Sequence, residues 1–203
     1  STLPITEPSA SLRELITEQK KELGKKELPG LILDLRNNPG GLLDQAISVS
    51  GVFLEKSTLV VTSKGRTQKS ELSYSTVSNQ LVNPANTPIV ILINAGSASA
   101  AEIVAGTLKD HNKATIIGER SFGKGSVQTL IPLMRGRQAQ GAIKFTIARY
   151  YTPNGKAVQG NGIKPDIKVP EMSEIESVNF YEKNLAGSLD AEGSVMGSVE
   201  LSE

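Results

Sequence analysis

Six apolar residues, Pro88-Ile89-Val90-Ile91-Leu92-Ile93, run straight into the small-residue stretch Asn94-Ala95-Gly96-Ser97-Ala98-Ser99, and this junction constrains the fold more than any other feature. The β-branched run is too short for a globular helix and reads as a buried strand. From Ala100 onward the pattern changes: Ala100, Ile103, Val104, Thr107 and Leu108 recur at helical spacing, and Lys109 suits the negative end of the helix dipole. A buried strand that turns at once into a helix suits an α/β chain. The turn puts Ser99 at the mouth of that helix, where free N–H groups and the positive dipole end can hold an oxyanion, and the Ala100 amide is a natural donor. The plain alternative is an ordinary N-cap at Ser97 or Ser99.

A nucleophilic serine needs a base. The single histidine, His111, follows Asp110 near the far end of the helix that Ser99 begins, about 15 Å away at 1.5 Å per residue, where it answers the dipole instead. That leaves a lysine, and Lys124 in Ser121-Phe122-Gly123-Lys124-Gly125-Ser126-Val127-Gln128 is the best placed. To accept a proton its pKa must fall from about 10.4 toward 7 or 8, which burial can supply. Gly123 and Gly125 let backbone approach, Phe122 and Val127 could wall the amine from water, and Gln128 on a following strand could bond the neutral amine without adding charge. A surface glycine-turn lysine is the alternative.

Gly118 to Lys124 also fits the first seven positions of a phosphate-binding loop, G-x-x-x-x-G-K. The eighth position is Gly125 where Ser or Thr should hold magnesium. A strand-like run follows where that motif requires a helix, so a nucleotide site is set aside.

Three segments together, Ser97-Ala98-Ser99-Ala100-Ala101-Glu102, Phe122-Gly123-Lys124-Gly125-Ser126-Val127-Gln128 and Leu33-Asp34-Leu35-Arg36-Asn37-Asn38-Pro39-Gly40-Gly41, resemble the signature segments of the carboxy-terminal processing peptidases, also called tail-specific proteases. The likeness runs from about Thr6 to Ile167. It implies an α/β fold with a crotonase- and Clp-protease-like spiral core of mixed strands and helices. It also implies Ser99 as nucleophile, Lys124 as general base, Gln128 as its orienting partner, and an amide of Gly40 or Gly41 as second oxyanion donor beside Ala100. The expected substrate is a flexible polypeptide cut near its carboxyl terminus, with no metal or organic cofactor. The resemblance further implies export to the periplasm or an equivalent lumen. In that family a peptide-binding PDZ domain precedes this region, and no candidate for one is visible here.

Composition narrows the alternatives. A chain of 203 residues with 38% hydrophobic content can bury one good core. Its formal charge of +1, 4% aromatics and lack of tryptophan give no reason to expect a nucleic-acid partner. With no cysteine and one histidine there is neither a disulfide framework nor a histidine-rich metal centre. No run of about 18 apolar residues appears, so no membrane-spanning segment is expected. The start, Ser1-Thr2-Leu3-Pro4, reads as that of an excised or processed piece. Self-association is left open.

In order, residues 1–29 are expected to form a helical segment joining the core, 30–170 the core, and 171–203 an acidic, partly disordered tail. Ser11 to Leu23 reads as an amphipathic helix with Leu12, Leu15, Ile16 and Leu23 on one stripe, a Ser11-x-x-Glu14 capping box, and Gly24 at its end. Gly30 to Arg36 is an apolar run that suggests a strand covered on both faces, with Asp34 and Arg36 paired on one of them. Asn37 to Gly41 breaks it, and Leu42 to Leu54 is helical. Thr58 to Thr62 is a strand, Lys64-Gly65-Arg66 a turn, and Gln68 to Asn86 a hairpin or exposed loop with little core content. Further strands cover Ala114 to Gly118, Ser126 to Leu133 and Ile143 to Tyr151, with turns at Arg135-Gly136-Arg137-Gln138 and Pro153-Asn154-Gly155. A short helix is allowed near Ser173 to Asn184, and Glu102 reads as a first-turn helix charge. Two rivals stand beside the peptidase reading: a non-catalytic scaffold or peptide-binding module of the same fold, and an acyl-transfer enzyme, for which no coenzyme pocket is found.

Overall fold

The computed structural model describes residues 8–66, 71–135, 138–170, 181–185 and 189. Four strands form a parallel sheet in the order β1 (Leu31–Asp34), β4 (Ile89–Ile93), β5 (Thr115–Gly118) and β8 (Ile167–Lys168). A second, antiparallel sheet has the order β3 (Leu72–Ser75), β2 (Leu59–Gly65), β7 (Gln138–Tyr151) and β6 (Ser126–Arg135). Parallel neighbours need crossovers, and the chain supplies helices for two of them: α2 (Leu43–Phe53) lies between β1 and β4, and α3 (Ala100–Asp110) between β4 and β5.

Helix α3 touches both sheets, packing on β5 of one and β2 of the other, and α2 packs on α3. One continuous apolar core results, with Val52, Phe53, Val60, Ile91, Ala105, Leu108 and Ile116 fully enclosed. The β4 run behaves as its sequence demands: Ile89, Ile91 and Ile93 are buried and the two residues between them half-buried. Each such side chain contributes roughly 1.5–3 kcal/mol by leaving water.

Several expectations are corrected. Helix α1 runs Pro8–Glu22, so Ser11 lies inside it and caps nothing. Proline at the first helical position gives up no hydrogen bond and arrives with helical φ, which explains the earlier start. Of its stripe Ile16 is buried and Leu12 packs on the core, whereas Leu23 is exposed. Gly24, at φ +60°, ends the helix as expected. Arg13 fastens α1 to the core by donating to the carbonyls of Gly51 and Asn79 and to Ser78 Oγ.

Strand β1 is an edge strand and alternates half-buried and exposed, with Ile32 71% exposed, so only one of its faces is covered. Lys64 and Gly65 continue β2, where antiparallel pairing with Arg149 and Ala148 of β7 overrides their local turn character. The stretch before β4 carries more core than expected. Val82 is fully buried, and its amide and that of Leu81 donate to the Val52 carbonyl at the end of α2.

The β6–β7 hairpin is longer than expected and pairs Arg135 with Gln138; the two residues at the expected turn centre lie outside the described residues. Its outer part leaves the core, with Ile131 and Ile143 paired and both exposed. The Pro153-Asn154-Gly155 turn is present, closed by the Gly155 amide on the Thr152 carbonyl. Of the helix expected near Ser173 to Asn184, a single 3-10 turn at Glu182–Asn184 is described, and 171–180 lie outside the described residues, as does most of the expected mobile tail. Residues 181–185 dock on the core: the Glu182 amide donates to the Phe122 carbonyl, and the Arg120 guanidinium stacks 3.9 Å over the Tyr181 ring.

Candidate active site

Two turns meet at the carboxyl ends of β1 and β4. The buried Ser97 hydroxyl accepts from the Asn94 amide and donates to the Leu35 carbonyl, so Ser97 joins the turns and does not cap α3. Asn94 Oδ1 accepts from the amides of Asn37 and Gly96, its Nδ2 donates to Asn37 Oδ1, and the Ala98 amide donates to the Asn38 carbonyl. Stitched this way, the chain enters α3 at Ser99 with φ 54° and ψ −116°, a conformation rare for an L residue. Such strain persists only where neighbours over-determine it, and it clusters at functional sites. The side chain of Ser99 is half-buried at the positive end of the α3 dipole.

Gly40 folds over this turn. It has φ +100°, and a Cβ there would stand 2.7 Å from the Ala98 carbonyl oxygen, 2.8 Å from Ser99 Cβ and 2.9 Å from the Ala100 nitrogen. Its own amide donates to Asn38 Oδ1 at 2.9 Å, whereas Gly41 is exposed with nothing within 4 Å of its would-be Cβ. The Asp34–Arg36 pair expected beside this turn is formed, with guanidinium nitrogens 2.9 and 2.6 Å from the two carboxylate oxygens at the surface. The hydrogen bond from Arg36 holds the Asp34 carboxyl below its usual range despite some burial.

The lysine loop is fixed from below by Glu102, whose place in the first turn of α3 reads as that of a simple helix charge. Glu102 is fully buried, and its two oxygens receive four donors. Oε1 accepts from the Ser121 hydroxyl at 2.5 Å and the Gly123 amide at 2.7 Å; Oε2 accepts from the Ser99 amide at 2.8 Å and the Lys124 amide at 2.9 Å. Sharing one oxygen, the amide nitrogens of Ser99 and Lys124 lie at most 5.7 Å apart, the sum of those two bonds. Burial pushes the Glu102 carboxyl above its usual range, against the pull of Ser121 and the three amides. Spacing of three residues from Ser99 signals the reciprocal half of a capping box, but nothing local announces the bonds to Gly123 and Lys124.

Around Lys124 the backbone is equally tied. Phe122 donates to the Ser97 carbonyl, Gly125 to Gln159 Oε1, and Gly160 to the Gly123 carbonyl. A Cβ on Gly125 would come within 2.4 Å of the Gln159 nitrogen, so close approach of backbone explains this glycine. The Lys124 side chain is half-buried. Its amine and the Ser99 hydroxyl are not hydrogen-bonded to each other here. Nor does a hydrogen bond join Lys124 to Gln128, which stands on β6 with its side chain exposed. The fold thus brings Ser99, Ala100, Gly40 and the Lys124 backbone together and leaves Gln128 at the rim.

The other candidates fall away. His111 Nε2 lies 2.7 Å from the Leu59 carbonyl oxygen, and Asp110 accepts from the Thr152 hydroxyl and the Asn154 amide, so the two are spent at the far end of α3. After Lys124 comes β6, a strand, which removes the phosphate-loop reading. Clefts of about 610 and 720 Å³ surround Lys109, Asp110 and Lys156 at that same far end, and neither is lined by Ser99 or Lys124. No group of three or more metal-ligating side chains occurs among the described residues, and no helix there is long and apolar enough to cross a membrane.

The sequence profile of peptidase family S41 matches residues 3–169. This chain belongs to that family. It is 47% identical over 191 residues to the carboxy-terminal-processing protease of Bartonella bacilliformis, covering 94% of this chain and 42% of the relative. It is 39% identical over 161 residues to a probable CtpA-like serine protease of Staphylococcus epidermidis, covering 79% and 31%. Among solved structures, the photosystem II D1 C-terminal processing protease superposes with a TM-score of 0.68 at 34% identity, over 80% of this chain and 39% of that one. The chain therefore spans less than half the length of these family S41 relatives. The mixed parallel and antiparallel α/β architecture agrees with the S41 protease structures.

Proposed function

We propose that this chain is the catalytic core of a serine endopeptidase that cuts polypeptides near their carboxyl termini. The observation that carries the reading is the single Glu102 oxygen that holds the amides of Ser99 and Lys124 at most 5.7 Å apart, with Ser99 strained at a helix mouth. In the proposed cycle the Lys124 amine takes the Ser99 hydroxyl proton as Ser99 attacks the scissile carbonyl. The Ala100 amide and one from the Gly40-Gly41 turn hold the oxyanion. Gly41 suits that second role better in this conformation, because the Gly40 amide is already given to Asn38. The protonated amine then passes its proton to the leaving nitrogen, and water releases the acyl group from Ser99. Gln128 orients the amine only after a side-chain movement that brings it in from the rim.

Family membership supports a polypeptide as the substrate. Cleavage near the carboxyl terminus rests on the names of the relatives, and an exported setting on the same resemblance. A second reading, a latent or non-catalytic module, is favoured by one observation: Ser99 and Lys124 are not yet bonded to each other. Incubation with an unstructured protein separates the two. Cleavage by the native chain, abolished in Ser99→Ala and in Lys124→Ala, supports the peptidase; no cleavage by the native chain supports the latent module. Equal cleavage by all three removes the mechanism.

A further inference from the structure

The proposed chemistry asks two separate segments to keep register, and among the described residues the side chain that hydrogen-bonds to both main chains at the reacting residues is Glu102. We infer that Glu102 is a positioning residue for the proposed dyad, a buried carboxylate clamp that sets Lys124 against Ser99; the inference rests on the peptidase reading. An N-cap interaction alone would need one bond, to the Ser99 amide. The other three go 19 to 22 residues away, to Ser121, Gly123 and Lys124. Ser121 extends the clamp: its hydroxyl donates to Glu102 and accepts from the Ile163 amide at 2.6 Å, tying the loop to the segment before β8. Neither oxygen has capacity to spare for a substrate, so Glu102 acts through the backbone of the reacting residues and takes no proton from them.

The stereochemistry of the carboxylate is what the site uses. A carboxamide of the same shape offers one acceptor oxygen and one NH₂ group, so Glu102→Gln must turn a donor toward at least one backbone N–H. Glu102→Asp keeps both acceptors but is one methylene shorter. It can still reach the Ser99 amide on its own turn of helix, and it cannot at the same time span to Gly123 and Lys124. A pure capping role is therefore preserved in Asp, while a clamp is not.

The native chain, Glu102→Gln, Glu102→Asp and Ser121→Ala are each treated with a fluorophosphonate that labels activated serines, and amide exchange is followed in parallel at Ser99, Gly123 and Lys124. The expected result is a roughly hundredfold slower labelling of Ser99 in both Glu102 variants, as for a displacement of about 1 Å at a reacting group, with the saturation constant for the probe unchanged. In Glu102→Asp, exchange should quicken at Gly123 and Lys124 and stay protected at Ser99. Ser121→Ala, which removes one donor, should show a smaller loss in the same direction and stands in where Glu102→Gln fails to fold. Native labelling rates with unaltered exchange at Gly123 and Lys124 in Glu102→Asp would overturn the clamp. Failure of the native chain to label at Ser99 would instead overturn the dyad reading, and the exchange data would still decide whether Glu102 holds the loop.

Discussion

Adding one methyl group at Gly40 should damage both stability and reactivity, and the size of the first effect can be worked from the backbone. At φ +100° an L residue lies beyond the left-handed region that non-glycine residues tolerate, which costs roughly 1–3 kcal/mol. The new Cβ would meet the Ala98 oxygen at 2.7 Å, Ser99 Cβ at 2.8 Å and the Ala100 nitrogen at 2.9 Å, all backbone or backbone-proximal atoms that cannot swing aside. Overpacking of this kind costs a further ~1–3 kcal/mol. Against this, alanine narrows the unfolded ensemble by about 0.4–1 kcal/mol. The net loss is about 3 kcal/mol, or a fall in Tm of roughly 6–12 °C for a domain of this size. Urea unfolding followed by circular dichroism measures it, with Gly41→Ala as the matched control. Gly41 has an unobstructed Cβ direction and no positive φ, so its variant should stay within about 0.5 kcal/mol of the native chain. Because the clash falls on Ser99 and Ala100 themselves, fluorophosphonate labelling of Ser99 should drop in Gly40→Ala beyond any loss of folded protein. A Gly40→Ala chain as stable and as reactive as the native one would refute the packing of this turn on the serine.

Two further perturbations test the frame that carries the site. Asp166 accepts from Lys109 Nζ at 2.7 Å and the Ile116 amide at 2.9 Å; burial opposes its charge, but these bonds win and hold its carboxyl below the usual range. Its stabilisation is thus fully present above the unfolded value near 4 and is lost as pH falls through the lower folded value. Asp166→Asn should be less stable at pH 6 by under about 1 kcal/mol, the pair being partly solvated, with the difference closing in acid; a pH-independent difference in thermal melts would reject this account. Thr107 Oγ1 donates to the Val60 carbonyl at 2.7 Å in the buried seam between α3 and β2, where the β2–β3 register shifts. Thr107→Val should therefore cost about 1–2 kcal/mol in urea unfolding, and a neutral result would mean the carbonyl finds another donor.

Much of this architecture can be read locally because its causes are local. The β4 run, the small-residue turn and the α3 periodicity each depend on neighbours within a few residues, and β4, α3 and the break after β1 fall where the pattern puts them. The errors share another cause. An apolar run such as Leu31 to Leu35 cannot reveal whether one or both faces will be covered, because coverage depends on the strand's place in the sheet, and β1 is at the edge. Lys64-Gly65 looks like a turn until a distant strand offers it a ladder. Gln128 lies at the right spacing from Lys124 and yet stands exposed, since spacing along a strand does not say which way a glycine-flanked lysine turns.

From residue order alone came a helix-opening serine, a lysine between glycines, and the exclusion of thiol and histidine chemistry, all properties of residue type and near-neighbour spacing. Only the tertiary structure decided how these parts are held: Asn94 and Ser97 lock the two turns together, Gly40 closes over Ser99, and Glu102 receives the lysine loop. The physical reason is that a buried carboxylate must find its donors wherever the fold supplies them, and three of its four come from a loop that begins 19 residues further along the chain.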